Sequence, residues 1–274
     1  MIFVWYYSFT GVYLASMVKL FIRYQKARFS NVQRLVNQLA QSMDAEALHT
    51  LRVELKRVRF LKTILDQHEK PRKVDKAYKP FKKLFEQVGK IRGQHVNMYR
   101  LSKTLKQNNE SKARKHFKRK QKHLEKQFND MITHHTSGLS QGMLAMDAML
   151  KNMPELSEKN FLKHLIKQVG KRINLKTPTR KWHAGRHALK SVIYSAELSN
   201  ALASKIASVF NMAVIVNLED AIGDWHDFTI LLNGKSVKWL TENGMKKMRR
   251  KRKIEQKRIG KLMPQVFRLG NPTP

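Results

Sequence analysis

One offset governs what this chain can fold into. His49, Arg52, Leu55, Lys56 and Phe60 return 134 residues later as His183, Arg186, Leu189, Lys190 and Tyr194. The same step carries Leu84, Val88, Gly89 and Val96 onto Leu218, Ile222, Gly223 and Ile230. Basic residues alone recur by chance in a basic protein. Histidine, glycine and apolar positions recurring together in two separate motifs do not, so the chain reads as a duplicated helical unit. The fold this implies is all-α: two duplicated helical bundles packed about a pseudo-twofold axis.

Local patterns agree with a helical reading. Glycine (12) and proline (7) are scarce in 274 residues, which favours long helices over a turn-rich β architecture. Phe29, Val32, Leu35, Val36 and Leu39 recur at three- and four-residue spacing and predict a helix over 25–42. Asp44 is a suitable N-cap for a second helix over 45–68, before Pro71. A third helix is expected from 73 to Gly89, a fourth over 94–107, and then a long basic helix. A Ser/Gly/Met-rich stretch, 137–153, and Pro154 are expected to separate this set from the second. The domain plan is an apolar extension over 1–23, one domain over 24–245 with halves at 25–136 and 155–245, and a basic tail over 246–274.

The stretch "HTLRVELKRVRF", residues 49–60, shows what the repeat carries. At about 100° per residue, His49, Arg52, Lys56 and Arg59 form one stripe roughly 80° wide. Leu48, Leu51, Leu55, Val58, Leu61 and Leu65 make the evident core face. Val53, Phe60 and Ile64 lie on the other side of the stripe, where an ordinary surface helix is polar. Cations flanked by apolar residues on both sides suit a cleft. Glu54 falls inside the core arc and Arg57 lies off the stripe. In the second copy His183, Arg186, Lys190 and Tyr194 project together, with Glu197 available as an internal acid. The two stripes are expected to converge.

Composition says what such a cleft would hold. Lys and Arg total 55 against 20 Asp and Glu, a formal net charge of +35, while 42% of residues are hydrophobic. The chain can therefore build a core, and its charge excess calls for an anionic partner. It has no cysteine, which excludes disulfides, thiolate metal sites and cysteine nucleophiles. The first 22 residues are apolar and aromatic up to Lys19 and lack the basic start of a secretory signal. A membrane anchor at the short end of spanning length, with Arg23, Lys26 and Arg28 on the cytoplasmic side, is the lesser reading; a start site called too early and an apolar first helix together outweigh it. The later start falls at Met17.

The paired motifs resemble the CHAD family, the conserved histidine α-helical domain, over about residues 25–245. The family's first motif is matched by His49, Arg52, Val53, Lys56, Arg57 and Arg59, and its second by His183, Arg186, Lys190 and Tyr194. Ile193 stands where an arginine is expected, and Ser191 is uncharged where Arg57 stands in the first copy. A Gly-x-x-Arg-Asp segment appears as Gly89 to Gly93 without its aspartate; its later counterpart is intact in Gly223, His226 and Asp227. The resemblance implies two four-helix bundles around a basic cavity that binds inorganic polyphosphate, often on granules in the cytoplasm. The binding residues it implies are His49, Arg52, Lys56, Arg57, Arg59, Arg92, His183, Arg186, Lys190 and His226. Structural roles fall to Tyr194, Gly89, Gly223 and Asp227. No catalysis, cofactor or metal is implied, and no acidic alternating strand motif of a CYTH-type domain accompanies it. The chemistry is consistent: arginine offers forked donors to phosphate, lysine a mobile charge, and histidine beside phosphate gains from mild acid.

Three rivals remain at this level. The helix over 112–126, with Lys115, Lys118, Arg119, Lys122 and Lys126, and the segment "MKKMRRKRKIEQKR" suit a nucleic-acid backbone or an acidic membrane surface. Neither interleaves aromatic residues for base stacking; Phe117 stands alone. His183 and His187 have the four-residue spacing of a metal pair but no evident third ligand. Asp220, Asp224 and Asp227 suggest Mg²⁺ chemistry, yet no glycine-rich phosphate loop is present.

Overall fold

The computed structural model describes residues 16–102, 110–234, 237 and 240–268. Nine α-helices account for most of these: α1 (Met17–Gln41), α2 (Ala45–Leu65), α3 (Pro71–Ser102), α4 (Glu110–Lys151), α5 (Glu158–Arg172), α6 (Trp182–Ala196), α7 (Asn200–Val209), α8 (Met212–Asn233) and α9 (Glu242–Leu262). Among the described residues no strand forms beyond an isolated antiparallel bridge between Phe210 and Phe267. The helix starts follow from local chemistry. The side chains of Asp44, Ser157, Ser199, Asn211 and Thr241 each accept a hydrogen bond from a first-turn amide of α2, α5, α7, α8 and α9. Pro71 opens α3, where its missing N–H costs nothing.

Helices α1 to α4 pack in succession, and α4 closes back on α1. In the second half α5 packs on α6, α6 on α8 and α8 on α9, with the short α7 against α6. The offset of 134 carries α2 onto α6 and α3 onto α8. The halves meet where α2 crosses α6, and one apolar core runs through both. Phe21 of α1 meets Phe161 of α5 edge-on at 5.7 Å. Phe60, from the second apolar strip of α2, packs against Tyr24 and Tyr194, each at 6.1 Å. Phe60 is apolar because it packs between α1 of its own half and α6 of the other.

The helices are longer than the sequence suggests. α3 continues through Gly89 and Gly93 because Leu84, Val88, Ile91 and Gln94 stay buried across that stretch, so Gly93 is no helix start. α4 continues through the Ser/Gly/Met-rich stretch to Lys151. Gly142 serves close approach: a Cβ there would lie 2.5 Å from the Ala77 carbonyl oxygen of α3. The basic segment from 246 is helix α9, with Met248 and Ile259 buried toward α8. Of the apolar N-terminal run, Met17, Leu20 and Phe21 are core residues of α1. Residues 1–15 of that run lie outside the described residues. Among the described residues no helix is long and apolar enough to cross a membrane.

Candidate anion-binding site

The cationic stripes of α2 and α6 face each other where the halves meet, and α3 supplies a third wall. A cavity of about 740 Å³ opens there, lined by Lys56 and Arg59 of α2, Lys79, Lys82 and Phe85 of α3, and His187 and Lys190 of α6, among others. Arg59 Nη2 lies 3.2 Å from His187 Nδ1, across the two halves. Burial and the charges of Arg59 and His183 push the His187 imidazolium down to about 3, so the ring is neutral and accepts from Arg59. Arg52 and Arg186 lie outside this lining, and the charge of Arg186 bears on both Arg52 and Arg59.

Two arginines occupy equivalent seats in the two halves. The Arg52 guanidinium lies directly against Gly89 of α3, and that of Arg186 against Gly223 of α8. A Cβ on Gly223 would come within 2.5 Å of Arg186 Nη2, and one on Gly89 would collide with Arg52. The repeated glycines therefore make room for the repeated arginines. Beyond the guanidinium the seats differ. The Arg52 guanidinium carbon stands 4.4 Å from the Phe85 ring centroid, and that of Arg59 5.0 Å from the same ring. At the position equivalent to Phe85 the second half has Glu219, which takes Arg186 Nε at 2.5 Å and Lys190 Nζ at 2.7 Å. Burial opposes the Glu219 charge, but Arg186 and Lys190 hold its carboxyl below the usual range.

Asp66, Asp75 and Glu86 also line the cavity, the first two paired with Lys62, but around Lys56 the electrostatics are those of crowded cations. Lys56 is depressed from 10.5 to about 7, first by burial, then by the charges of Lys190, Arg186 and Arg52. Arg52, Arg59 and Arg92 are each lowered, burial being the largest cause. Lys190 is lowered by burial even with Glu219 beside it. His49 is lowered by burial, then by Arg92 and Lys56; His183 by burial, then by His226 and Arg186. The His49 Nδ1 atom is buried without a hydrogen-bond partner. Protein folding brings such groups together only at a cost, so the cluster is not explained by stability.

Of the residues singled out in the sequence, nine belong to this cluster: His49, Arg52, Lys56, Arg59, Arg92, His183, Arg186, Lys190 and His226. His226 of α8 stacks obliquely on His183 with ring centroids 5.0 Å apart. Asp227 is interior to α8 and acts on the cleft cations, favouring the charges of Arg52 and Arg92; it is not a helix cap. Tyr194 is buried, 6.0 Å from Lys190 Nζ and against Phe60. Arg57 stands apart. Its Nη1 donates to Glu54 Oε1 at 2.8 Å, and its Nε and Nη2 donate to the two Glu197 oxygens at 2.8 and 2.7 Å. Tyr24 Oη donates to the same Glu197, and Arg28 to Glu54. Burial works to lower the Arg57 pKa, but the hydrogen bonds and charges of Glu197 and Glu54 raise it. Arg57 is thus a clamp between α2 and the end of α6.

Sequence reading missed Phe85, Glu219, Lys79 and Lys82. The signal for the first two was present, since 85 and 219 are one offset apart, but unlike residues do not register as a repeat. His183 and His187 approach with Nε2 atoms 3.2 Å apart. Among the described residues no group of three or more His, Asp or Glu is arranged to hold a metal ion.

An all-helical protein whose two halves meet over a cation-lined cleft is the class these observations define. The sequence profile of the CHAD domain matches residues 23–233, and the chain belongs to the CHAD domain family. Its fold is similar to the crystal structure of the CHAD domain from the plant Ricinus communis. That match has a TM-score of 0.69 over 93% of this chain and 95% of that one, at 14% sequence identity. Comparison with curated proteins finds no match.

Proposed function

We propose that the cleft binds inorganic polyphosphate without cleaving it, and that this holds the protein to polyphosphate granules in the cytoplasm. The observation that carries the reading is the shared cavity that Lys56 and Arg59 of α2 line together with His187 and Lys190 of α6, where burial and neighbouring cations hold Lys56 down to about 7. A site that gathers cations at the expense of their own ionisation is arranged for a ligand with closely repeated negative charge. Phosphate oxygens meet forked arginine donors and mobile lysines here. The cavity presents Phe85 to arginines rather than offering an open ring for a base, which favours a plain phosphate chain over nucleic acid.

Binding should fall about a hundredfold between roughly 50 and 200 mM salt, through counterion release from the chain. Arg52→Ala and Arg186→Ala should each weaken it by about tenfold. Competition tests the reading: single-stranded RNA should fail to displace polyphosphate at equal phosphate concentration, and displacement would overturn it. Shortening of the chain by purified protein with Mg²⁺ would overturn the non-catalytic part.

Gly223→Ala separates site geometry from stability. Helix propensity favours alanine by about 1 kcal/mol, while the Arg186 guanidinium must shift and loosen its hold on Glu219, which keeps Lys190 as a partner. The melting temperature should therefore stay near that of the parent while polyphosphate affinity falls several-fold. Unchanged affinity would show that the seat of Arg186 does not matter.

A further inference from the structure

Each half of the molecule ends in a basic helix, and the cleft does not use either. The first part of α4 carries Lys118, Arg119 and Lys122 exposed; α9 carries Arg249, Arg250 and Lys253 exposed. These helices are not stray tails. Phe117 of α4 is buried in a small apolar cluster with Met248 of α9 and Leu231 of α8, against which Met98 of α3 also packs. That cluster fastens the two basic helices to the same end of the molecule.

Register places these cations level with one end of the cleft. Gln87 of α3 donates to the Leu124 carbonyl of α4 at 2.7 Å, so Arg92, further along α3, stands level with the Lys118–Lys122 turn. Arg258 of α9 donates to Asn217 of α8 at 3.3 Å, so His226, further along α8, stands level with Arg249. Arg92 and His226 are equivalent positions of the repeat and the last cleft residues in this direction. The exposed cations of α4 and α9 therefore run level with this end of the cleft set, on the outer side of α3 and α8.

We propose that the outward faces of α4 and α9 form a second phosphate-binding surface, which takes the part of a long polyphosphate chain that emerges past Arg92 and His226. The inference rests on the proposed function of the cleft. Two linked sites on one chain raise each other's effective concentration, so the protein selects long polymers over short ones. The surface offers a dense row of cations with Phe117 turned inward, so it tracks repeated charge and reads no bases.

The test compares the full chain with a variant carrying Lys118→Gln, Arg119→Gln, Lys122→Gln, Arg249→Gln, Arg250→Gln and Lys253→Gln. All six positions are exposed, and unchanged helical content and melting temperature are checked first. Polyphosphates of about ten and about a hundred phosphates are titrated against both proteins. The expected result is a loss of about tenfold or more for the long chain, a shallower salt dependence, and a short-chain affinity within about twofold. An unchanged long-chain affinity, or equal losses for both lengths, would overturn the second surface. If RNA of the same phosphate number binds the parent as tightly as long polyphosphate and loses as much in the variant, the surface is a nucleic-acid site and the proposal fails. Failure of the parent to bind the short chain is a separate result, which counts against the cleft.

Discussion

Arg57→Ala is expected to lower the free energy of unfolding by about 3 kcal/mol while leaving polyphosphate affinity within about twofold. Arg57 joins two carboxylates from different halves of the chain, and Glu54 is among the few buried charged side chains, 3% exposed. Its Oε2 atom already lacks a partner, so loss of Arg57 leaves Glu54 with Arg28 at 3.2 Å and Glu197 with Tyr24. Removing one partner of a buried ionic network costs far more than the network contributes net, because the remaining charges stay desolvated. Arg57→Lys should recover part of the loss, since an ammonium cannot span three carboxylate oxygens as the guanidinium fork does. Urea denaturation measures the first effect and titration with a short polyphosphate the second. A variant of parental stability with weakened binding would return Arg57 to the binding set and refute the clamp.

Lys56→Met should do the reverse, raising stability by about 2 kcal/mol at pH 6 and lowering polyphosphate affinity by at least tenfold. With a folded value of about 7 against 10.5 for the free side chain, Lys56 binds its proton less tightly in the native state. Its burial therefore costs nothing above pH 10.5, costs progressively more as pH falls, and exerts its full penalty below about 7. The stabilisation by methionine should follow the same curve, greatest below neutrality and vanishing in alkali. Ligand binding runs on the same proton. A bound polyanion favours charged Lys56, so parental affinity should be greatest below pH 7 and decline as pH rises above it. His49 and His183, lowered by burial and cation neighbours, add to this dependence on the acid side. Thermal melts and titrations of both proteins from pH 5.5 to 9 in one ionic strength check each sign. A variant that is less stable than its parent at pH 6 would contradict the cost assigned to Lys56.

What the sequence made legible was periodic. The stripe of His49, Arg52, Lys56 and Arg59 can be read from one helix, and its partner from the offset, because both signals lie in residue identity and spacing. The glycines were legible as recurrences, but their purpose required seeing the arginines rest on them. Arg57 was visible as a residue off the stripe, yet its partner Glu197 lies 140 residues away, and nothing local links them. Phe85 and Glu219 show a further limit: a repeat keeps the seat while changing its lining. Helix ends failed where glycine did not break the helix: Gly142 packs against α3, and Gly93 lies in open space inside a helix that burial on either side sustains. The basic segment from 246 read as a tail because its cations hide the few positions, Met248 and Ile259, that dock it.

Calorimetric titration of a short polyphosphate into the parent and into an Arg52→Ala, Lys56→Met double variant tests the cleft most directly. The parent should bind at one saturable site and take up protons at pH 7.5, seen as a heat that changes with the ionisation enthalpy of the buffer. The double variant should keep its fold, lose both the affinity and the proton uptake, and so place the ligand at the crossing of α2 and α6. Equal affinity and equal proton uptake in the two proteins would contradict that placement.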